Sequence, residues 1–180
     1  MAIGNRLSTR FFDQGLELLA QEGYAGFKLI PLCDALEVST GAFYHSFTSW
    51  KDYTTQLLEY WKLERTTRLV EIAEANPQAS DRLDTLLTMT IDLPHRAEAA
   101  IRVWSQTDAD VAEVQRSVDQ GRYAVIYPAF LELVGDPQLA EHYARTGMYL
   151  LIGFEQADSL QSKETLRWSL QQVKDAATAT

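Results

Sequence analysis

The side chains best suited to chemistry are one cysteine, three histidines and 25 carboxylates. His45, His95 and His142 do not stand three or four positions apart, the spacing that puts two metal ligands on one helix face. Cys33 stands at a small apolar position of a helix, which predicts a buried, inert thiol. No glycine-rich phosphate loop, G-x-S-x-G elbow or H-E-x-x-H motif occurs. The sequence therefore offers no catalytic residue and no metal site, and we predict neither enzymatic activity nor a cofactor.

The elements that must position these residues are helices throughout. Apolar positions recur at helical spacing, and neither strand-like alternation nor a hairpin turn signal occurs. Capping signals mark the boundaries: Gly23 follows the first helix, and Ser39, Ser80, Asp136 and Ser162 precede the third, fifth, eighth and ninth. The predicted helices span about 8–21, 29–36, 42–47, 50–75, 80–93, 95–106, 108–133, 137–157 and 162–175. The chain is thus predicted to be all-α, with about nine helices.

Charge and hydropathy restrict the setting in which the protein works. The 180 residues carry a net charge of −9, of which residues 1–55 carry −2 and the remainder −7. This balance argues against a protein that coats nucleic acid without regard to sequence. The longest strongly apolar stretch, 148–154, is too short to span a bilayer, and the N-terminus lacks the pattern of a secretory signal. We expect a cytoplasmic protein that is not bound to a membrane.

Two motifs in the first third of the chain form a specific pattern. Gln21-Glu22-Gly23-Tyr24 follows the first helix, and Val38-Ser39-x-Gly41-x-x-Tyr44-x-x-Phe47 forms the third. Over about residues 8–55 they resemble the helix-turn-helix unit of the TetR family of bacterial transcriptional regulators. The resemblance implies a DNA-binding domain at residues 1–55. It also implies a C-terminal helical bundle at residues 56–180, which binds an effector and dimerises.

The resemblance also implies which residues would meet DNA. A helix-turn-helix places the N-terminal end of its second helix in the major groove. Backbone N–H groups and hydroxyls at that end can meet a phosphate, and small residues let the backbone approach closely. The predicted DNA-binding residues are Ser39, Thr40, Gly41, Ala42, Tyr44, His45 and Lys51. Phe43 and Phe47 are predicted to pack in the core of the three-helix unit.

Three positions differ from the usual residues of the family, and they leave a second function open. Glu37 stands where the turn usually has glycine, and a left-handed backbone there costs about 1 kcal/mol. Thr40 and Trp50 stand where a cation is common, and each missing cation lowers the salt slope of DNA binding by about one. The first hypothesis is a ligand-responsive repressor that an effector releases from its operator. The second is a TetR-like fold with weakened or lost DNA binding, which acts as a sensor or protein-interaction module.

Aromatic residues of the later helices predict a ligand cavity. Buried Trp and Tyr side chains need hydrogen-bond partners, so several of them in one bundle favour a lined cavity over a dry core. Bulk core packing is the alternative for each of them. The predicted effector-binding residues are Trp61, Met89, Arg102, Trp104, Tyr123 and Tyr127. This mixture suits a small, apolar or aromatic effector, and Arg102 could pair with a carboxylate on it.

The eighth and ninth helices carry more apolar residues than one packed face needs. These residues are Met148, Leu150, Leu151, Ile152, Phe154, Leu166, Trp168, Leu170 and Val173. Reading two half-sites about 34 Å apart requires a two-fold partner. The resemblance implies a four-helix bundle made by two such helices from each chain. We therefore predict a homodimer through helices eight and nine that binds a double-stranded DNA operator.

Overall fold

The computed structural model describes residues 6–179, apart from the side chains of residues 6, 66–68, 70, 73, 74 and 158. Within this part of the chain there are nine α-helices, a 3-10 turn at Asp158–Leu160 and no strand, which confirms the predicted all-α class. The helices are α1 (Arg6–Gly26), α2 (Leu29–Ala35), α3 (Thr40–Ser46), α4 (Trp50–Ala75), α5 (Ala79–Ile91), α6 (His95–Trp104), α7 (Ala109–Val134), α8 (Pro137–Gln156) and α9 (Lys163–Thr178). None of the described helices is long and apolar enough to cross a bilayer.

Side-chain caps begin three of these helices as the sequence predicts. Oxygen atoms of Ser39, Asp136 and Ser162 accept the backbone N–H group three residues further on, at 3.3, 2.9 and 3.1 Å. The predicted cap at Ser80 is wrong, because α5 already begins at Ala79 and Ser80 is its second residue. Helix starts are therefore predictable where a capping oxygen is used, and α5 begins without one.

The chain divides into two compact units that are not continuous in sequence. Unit 1 comprises the chain up to Leu63 together with Pro94–Gln115, and unit 2 comprises Glu64–Leu93 together with the chain from Arg116. The predicted boundary between residues 55 and 56 differs from this division, because α6 packs against α1 within unit 1. Helical periodicity does not reveal such a contact between distant segments. Two helices, α4 and α7, contribute residues to both units.

The core of unit 1 is aromatic. Phe11, Phe43, Tyr53 and Trp61 are completely buried. The rings of Phe11 and Phe43 meet edge to face with centroids 5.6 Å apart, and the Tyr53 hydroxyl donates to the Phe11 carbonyl at 2.9 Å. These contacts hold α1, α3 and the start of α4 in one fixed arrangement. Phe47 is also buried, so the predicted core role of Phe43 and Phe47 is confirmed.

The core of unit 2 is built around small residues. Ala129, Ala140 and Ala144 are completely buried, which lets α7 and α8 approach closely. Arg82 Nη1 donates to two carbonyls of the loop between α4 and α5, at 3.1 and 3.0 Å. Its Nη2 atom pairs with Glu132 Oε1 of α7 at 2.5 Å. One guanidinium therefore links α5 to both the preceding loop and α7.

Candidate nucleic-acid interface and ligand cavity

The helices α2 and α3 form a helix-turn-helix that rests on the aromatic core of unit 1. Phe43 and Phe47 face the core, whereas Tyr44 is 56% exposed and His45 is also exposed. This division arises because residues four apart on a helix share a face and their neighbours in sequence do not. The aromatic core therefore fixes which side of α3 faces outward.

The N-terminal end of α3 is open and small. Ser39, Thr40 and Gly41 are exposed, and Ala42 is half-buried. A Cβ atom added at Gly41 would meet only the Ser39 hydroxyl, at 3.5 Å, which is ordinary van der Waals distance. The fold therefore does not require glycine at this position. A glycine there leaves room for another molecule to approach the helix backbone.

The turn between α2 and α3 contains the left-handed residue that the sequence predicts. Glu37 has a φ of 55°, and it is the only non-glycine residue with positive φ in the described chain. Its N–H group donates to the Asp34 carbonyl at 3.1 Å, and the Val38 N–H group donates to the Cys33 carbonyl at 3.0 Å. These bonds close the end of α2 and offset part of the backbone cost of about 1 kcal/mol.

A capping box fixes the start of α4. Ser49 Oγ accepts from the Asp52 N–H group at 3.0 Å, and Asp52 Oδ2 accepts from the Thr48 N–H group at 2.8 Å. The bond from the Thr48 backbone, followed by the one from the Gln56 side chain, holds the pKa of the Asp52 carboxyl below its ordinary value. The first turn of α4, which contains Lys51, is therefore well anchored.

Lys51 already has acidic partners in the absence of DNA. Its Nζ atom lies 2.7 Å from Asp110 Oδ2 and 3.7 Å from Asp108 Oδ2, and all three residues belong to unit 1. The hydrogen bond to Asp110 raises the pKa of Lys51, so the ammonium remains charged. A DNA phosphate that binds Lys51 must replace these carboxylates. Exposed ion pairs are weak, typically about 0–1 kcal/mol, so the replacement is feasible.

Asp110→Asn is therefore expected to strengthen DNA binding, by about two- to fivefold. The variant removes the hydrogen-bonded competitor for Lys51 and leaves the helix unchanged. The affinity is measured by fluorescence anisotropy on a bound DNA fragment. Glu113→Gln is the matched control, because it removes the same charge from an exposed position of α7 in unit 1. If both variants gain the same DNA affinity, the gain comes from the change in net charge, and the proposed competition between Asp110 and DNA for Lys51 is refuted.

The outward surface of the helix-turn-helix has few cations. Residues 29–50 contain two carboxylates, Asp34 and Glu37, and no lysine or arginine. Trp50 replaces a cation with an aromatic ring that packs inward, with its centroid 5.0 Å from Phe27 and 5.1 Å from Tyr53. Any affinity for DNA must therefore depend on hydrogen bonds, close backbone approach and the flanking residues Lys28 and Lys51.

Three of the six residues predicted to line an effector cavity lie in unit 1. Trp61 is fully buried and its indole N–H donates to Glu98 Oε1 at 3.2 Å. The Trp104 ring stacks on Tyr24 with centroids 5.2 Å apart. Arg102 lies on α6, the helix that packs on α1. None of these three residues lies in unit 2, and Trp61 and Trp104 pack in unit 1. Their binding of an effector stays a prediction.

Unit 2 encloses a largely apolar cavity of about 90 Å³. Its walls come from α4, α5, α7, α8 and α9. Each of these helices contributes an apolar side chain, in the same order Leu69, Leu86, Ile126, Met148 and Leu170. The predicted residue Met89 is part of this lining. The charged lining residues are Glu64, Arg65, Arg122 and Lys174. Sequence periodicity does not distinguish these cavity-lining residues from other apolar positions of the same helices.

The remaining two predicted residues, Tyr123 and Tyr127, lie in unit 2 but outside the lining of this cavity. Their rings stack with centroids 5.7 Å apart, and the Arg145 guanidinium lies 5.7 Å from the centre of the Tyr123 ring. Both tyrosines pack against the core of the unit. This packing is the alternative that the sequence left open for both residues, and their binding of an effector stays a prediction.

Cys33 is buried, as predicted, and burial raises the pKa of its thiol. A thiol with a raised pKa has little reactive thiolate at neutral pH. Among the residues that the structure describes, no group of three or more His, Cys, Asp and Glu side chains could hold a metal ion. The described chain thus presents two features for function, the outward side of α3 and the cavity of unit 2.

Solved structures with the same arrangement of helices show what this fold is. E. coli NemR in its reduced form has a TM-score of 0.78 and 21% identity, over 95% of this chain and 96% of that chain. A TetR transcriptional regulator from Legionella pneumophila has a TM-score of 0.72 and 17% identity, over 99% and 98%. This chain has the TetR-regulator fold. The transcriptional regulator FadR from Bacillus subtilis, solved with stearoyl-CoA, has a TM-score of 0.68 and 14% identity, over 95% and 97%.

No family model and no curated protein matches the chain. Its likeness to TetR regulators is therefore one of fold. Of the two sequence motifs, residues 38–47 cover the end of the turn and α3, and residues 21–24 lie in α1. The Legionella pneumophila and Bacillus subtilis proteins are described as transcriptional regulators.

Proposed function

We propose that this protein is a DNA-binding transcriptional regulator that recognises a short palindromic site through α3. The observation that carries the proposal is the exposed N-terminal end of α3, which stands on a packed aromatic core. Ser39 and the backbone of Gly41 and Ala42 meet phosphates or lie close to the groove. Thr40, Tyr44 and His45 touch base edges or phosphates, and Lys51 binds the DNA backbone. The likeness to TetR regulators supports this assignment.

Tyr44→Ala tests the proposed interface. Loss of one specific contact is expected to weaken DNA binding by about tenfold or more. The protein should remain folded, because Tyr44 is exposed. The measurement is a gel shift against the DNA upstream of the protein's own gene, at low and high salt, with thermal unfolding in parallel. Leu63→Ala is the control, since Leu63 is an exposed apolar residue of α4 in the same unit. If Tyr44→Ala binds as wild type does, the proposed interface is wrong.

Regulation operates through the cavity of unit 2, with Met89 in its lining. A ligand changes DNA affinity only if it binds one conformation better than another, with typical couplings of about 1–3 kcal/mol. The helices α4 and α7 each have residues in both units. A ligand that changes the direction of either helix axis at the cavity therefore also shifts the start of that helix, which contains Lys51 in α4 and Asp110 in α7. The protein is a repressor that its effector releases. The complex of FadR with stearoyl-CoA supports ligand binding by this fold.

The protein functions as a homodimer through α8 and α9. Three residues of the predicted interface, Met148, Leu151 and Leu166, are buried within the protomer, so they do not form the contact. The large apolar residues that remain exposed in this part of the chain are Tyr149 on α8, Leu160 in the turn between the two helices and Trp168 on α9, at 65%, 83% and 63% exposure. Large exposed apolar side chains of this kind support an interface when a partner covers them. In this proposal, residues 1–55 form the DNA-binding domain, and residues 56–180 form the domain that binds the effector and dimerises.

A second candidate function is favoured by the charges around α3. Residues 29–50 lack lysine and arginine, and Lys51 is paired with Asp108 and Asp110. Such a surface suits a TetR-like sensor or protein-interaction module that does not bind DNA. The two functions separate at low salt, where weak phosphate binding is strongest. A protein that binds a cavity ligand but no DNA under those conditions has the second function.

A further inference from the structure

A notch in α1 receives a side chain from the first turn of α4. The notch lies at Gly15, a buried residue in the interior of α1. A Cβ atom added to Gly15 would collide with the Tyr53 hydroxyl oxygen, and it would lie 3.3 Å from Tyr53 Cζ and 3.4 Å from Leu57 Cδ2. Glycine in the interior of a helix is unfavourable, because it loses more conformational freedom on folding than other residues do. The close approach of Tyr53 therefore explains why position 15 is glycine.

The Tyr53 side chain is held firmly in this notch. It is completely buried, and its hydroxyl donates a hydrogen bond to the Phe11 carbonyl of α1 at 2.9 Å. Burial raises the pKa of Tyr53 well above its ordinary value, so the hydroxyl keeps the proton that it donates. The ring has no room to swing aside, because five aromatic rings have their centroids 5.0–6.1 Å from its own. These rings belong to Phe12, Phe27, Phe43, Phe47 and Trp50.

Tyr53 also contacts the elements that we propose to meet DNA. The rings of Phe43 and Phe47 of α3 pack on it, with centroids 5.4 and 5.0 Å away. Tyr53 follows Lys51 by two residues in the first turn of α4, and its N–H group donates to the Ser49 carbonyl at 3.0 Å. One rigid side chain thus joins α1 to both α3 and the start of α4. The depth of the ring in the notch therefore sets where α3 and Lys51 lie relative to α1.

We propose that Tyr53 is a positioning residue for DNA recognition and that Gly15 sets the depth of its ring. This inference rests on the proposed DNA-binding function. Both residues are buried, so they act on DNA only through α3 and Lys51. Binding groups must be held within about 0.5 Å of their productive positions. A methyl group at position 15 collides with the Tyr53 hydroxyl and forces the ring, and with it the start of α4, out of the notch.

Gly15→Ala tests the notch. Overpacking should lower the midpoint of thermal unfolding by about 3–10 °C, although alanine favours a helix. Anisotropy measured well below that midpoint, on a DNA fragment that the wild type binds, should show a loss of affinity of about tenfold or more. In the double variant Gly15→Ala with Tyr53→Phe, the added methyl group takes the place of the lost hydroxyl. This double variant should regain most of the affinity and most of the thermal stability.

The contribution of Lys51 separates positioning from stability. In the wild-type background, Lys51→Ala should weaken DNA binding and reduce the salt slope by about one. In the Gly15→Ala background, the same substitution should have less than half of this effect, because Lys51 is already displaced from the phosphate. A role of Tyr53 in stability alone would leave the effect of Lys51→Ala unchanged in the folded protein.

Ile101→Val is the matched control for lost stability. Ile101 is completely buried on α6 in the same unit, and none of the atoms nearest to the added Cβ at Gly15 belongs to it. The loss of one buried methyl group should lower the thermal midpoint. DNA affinity and the full effect of Lys51→Ala should persist in this variant.

Three results overturn the proposal: wild-type DNA affinity in Gly15→Ala, no recovery of affinity in the double variant, and an equal effect of Lys51→Ala in both backgrounds. Should Gly15→Ala unfold, Tyr53→Phe alone replaces it. Loss of the bond to the Phe11 carbonyl should then reduce the effect of Lys51→Ala, and an unchanged effect overturns the proposal. A wild type that binds no DNA refutes the proposed function and this role together. Wild-type binding combined with any of the overturning results refutes the positioning role alone.

Discussion

Gly41→Leu is expected to abolish specific DNA binding and to leave the protein folded. The leucine side chain would project from the second residue of α3, where DNA must approach the helix closely. Within the protein, the added Cβ meets only the Ser39 hydroxyl at 3.5 Å, so no clash forces the fold to change. Specific sites are typically bound about a thousandfold or more tightly than non-specific DNA, and the affinity should fall by about that factor. Anisotropy titrations with a specific and a scrambled DNA fragment measure the loss.

Two controls accompany this variant. Gly41→Ala should give an intermediate loss, and its thermal stability should be equal to or slightly above that of wild type, because alanine favours a helix. Ala25→Leu adds a side chain of similar size at an exposed position of α1 and should bind DNA normally. Normal DNA binding by Gly41→Leu would show that the N-terminal end of α3 does not meet DNA.

Trp168→Glu is expected to convert the proposed dimer to a monomer at micromolar concentration. Trp168 is 63% exposed on α9, so the protomer loses little when it changes. In a dimer, the same substitution places a carboxylate in an apolar interface, where an unpaired charge is strongly unfavourable. Analytical ultracentrifugation measures the change, and DNA binding should fall with it because each protomer contacts one half-site.

The matched control for this variant is Ile30→Glu. Ile30 is an apolar residue of α2 with 65% exposure, so the two substitutions introduce the same charge at equally exposed positions. Ile30→Glu should remain dimeric. A wild-type protein that sediments as a monomer, or a Trp168→Glu variant that stays dimeric, would disprove the interface at α8 and α9.

Local features of the helix-turn-helix could be predicted from sequence because their causes are local. The cap at Ser39 and the left-handed turn at Glu37 each depend on a few neighbouring residues. The burial of Phe43 beside an exposed Tyr44 follows from helical periodicity. These are the features that the DNA-binding proposal uses.

The effector site could not be predicted in the same way, because it depends on contacts between distant segments. Trp104 resembles a cavity residue in composition, but α6 packs on α1 and places its ring against Tyr24. The acidic partner of Lys51 stands 59 positions away, at the start of α7. The burial of Arg122 could not be predicted from the sequence, because an arginine on a helix is usually solvated.

The measurement that tests the central proposal most directly is selection from a random-sequence DNA pool by the wild-type protein at low salt. We expect the bound fraction to converge on a short sequence with two-fold symmetry, whose half-sites are separated by about one helical turn. The affinity for that sequence should fall as salt rises, with a shallow slope that reflects the few cations near α3. A pool that shows no enriched sequence after repeated selection would contradict the proposal that this protein recognises DNA.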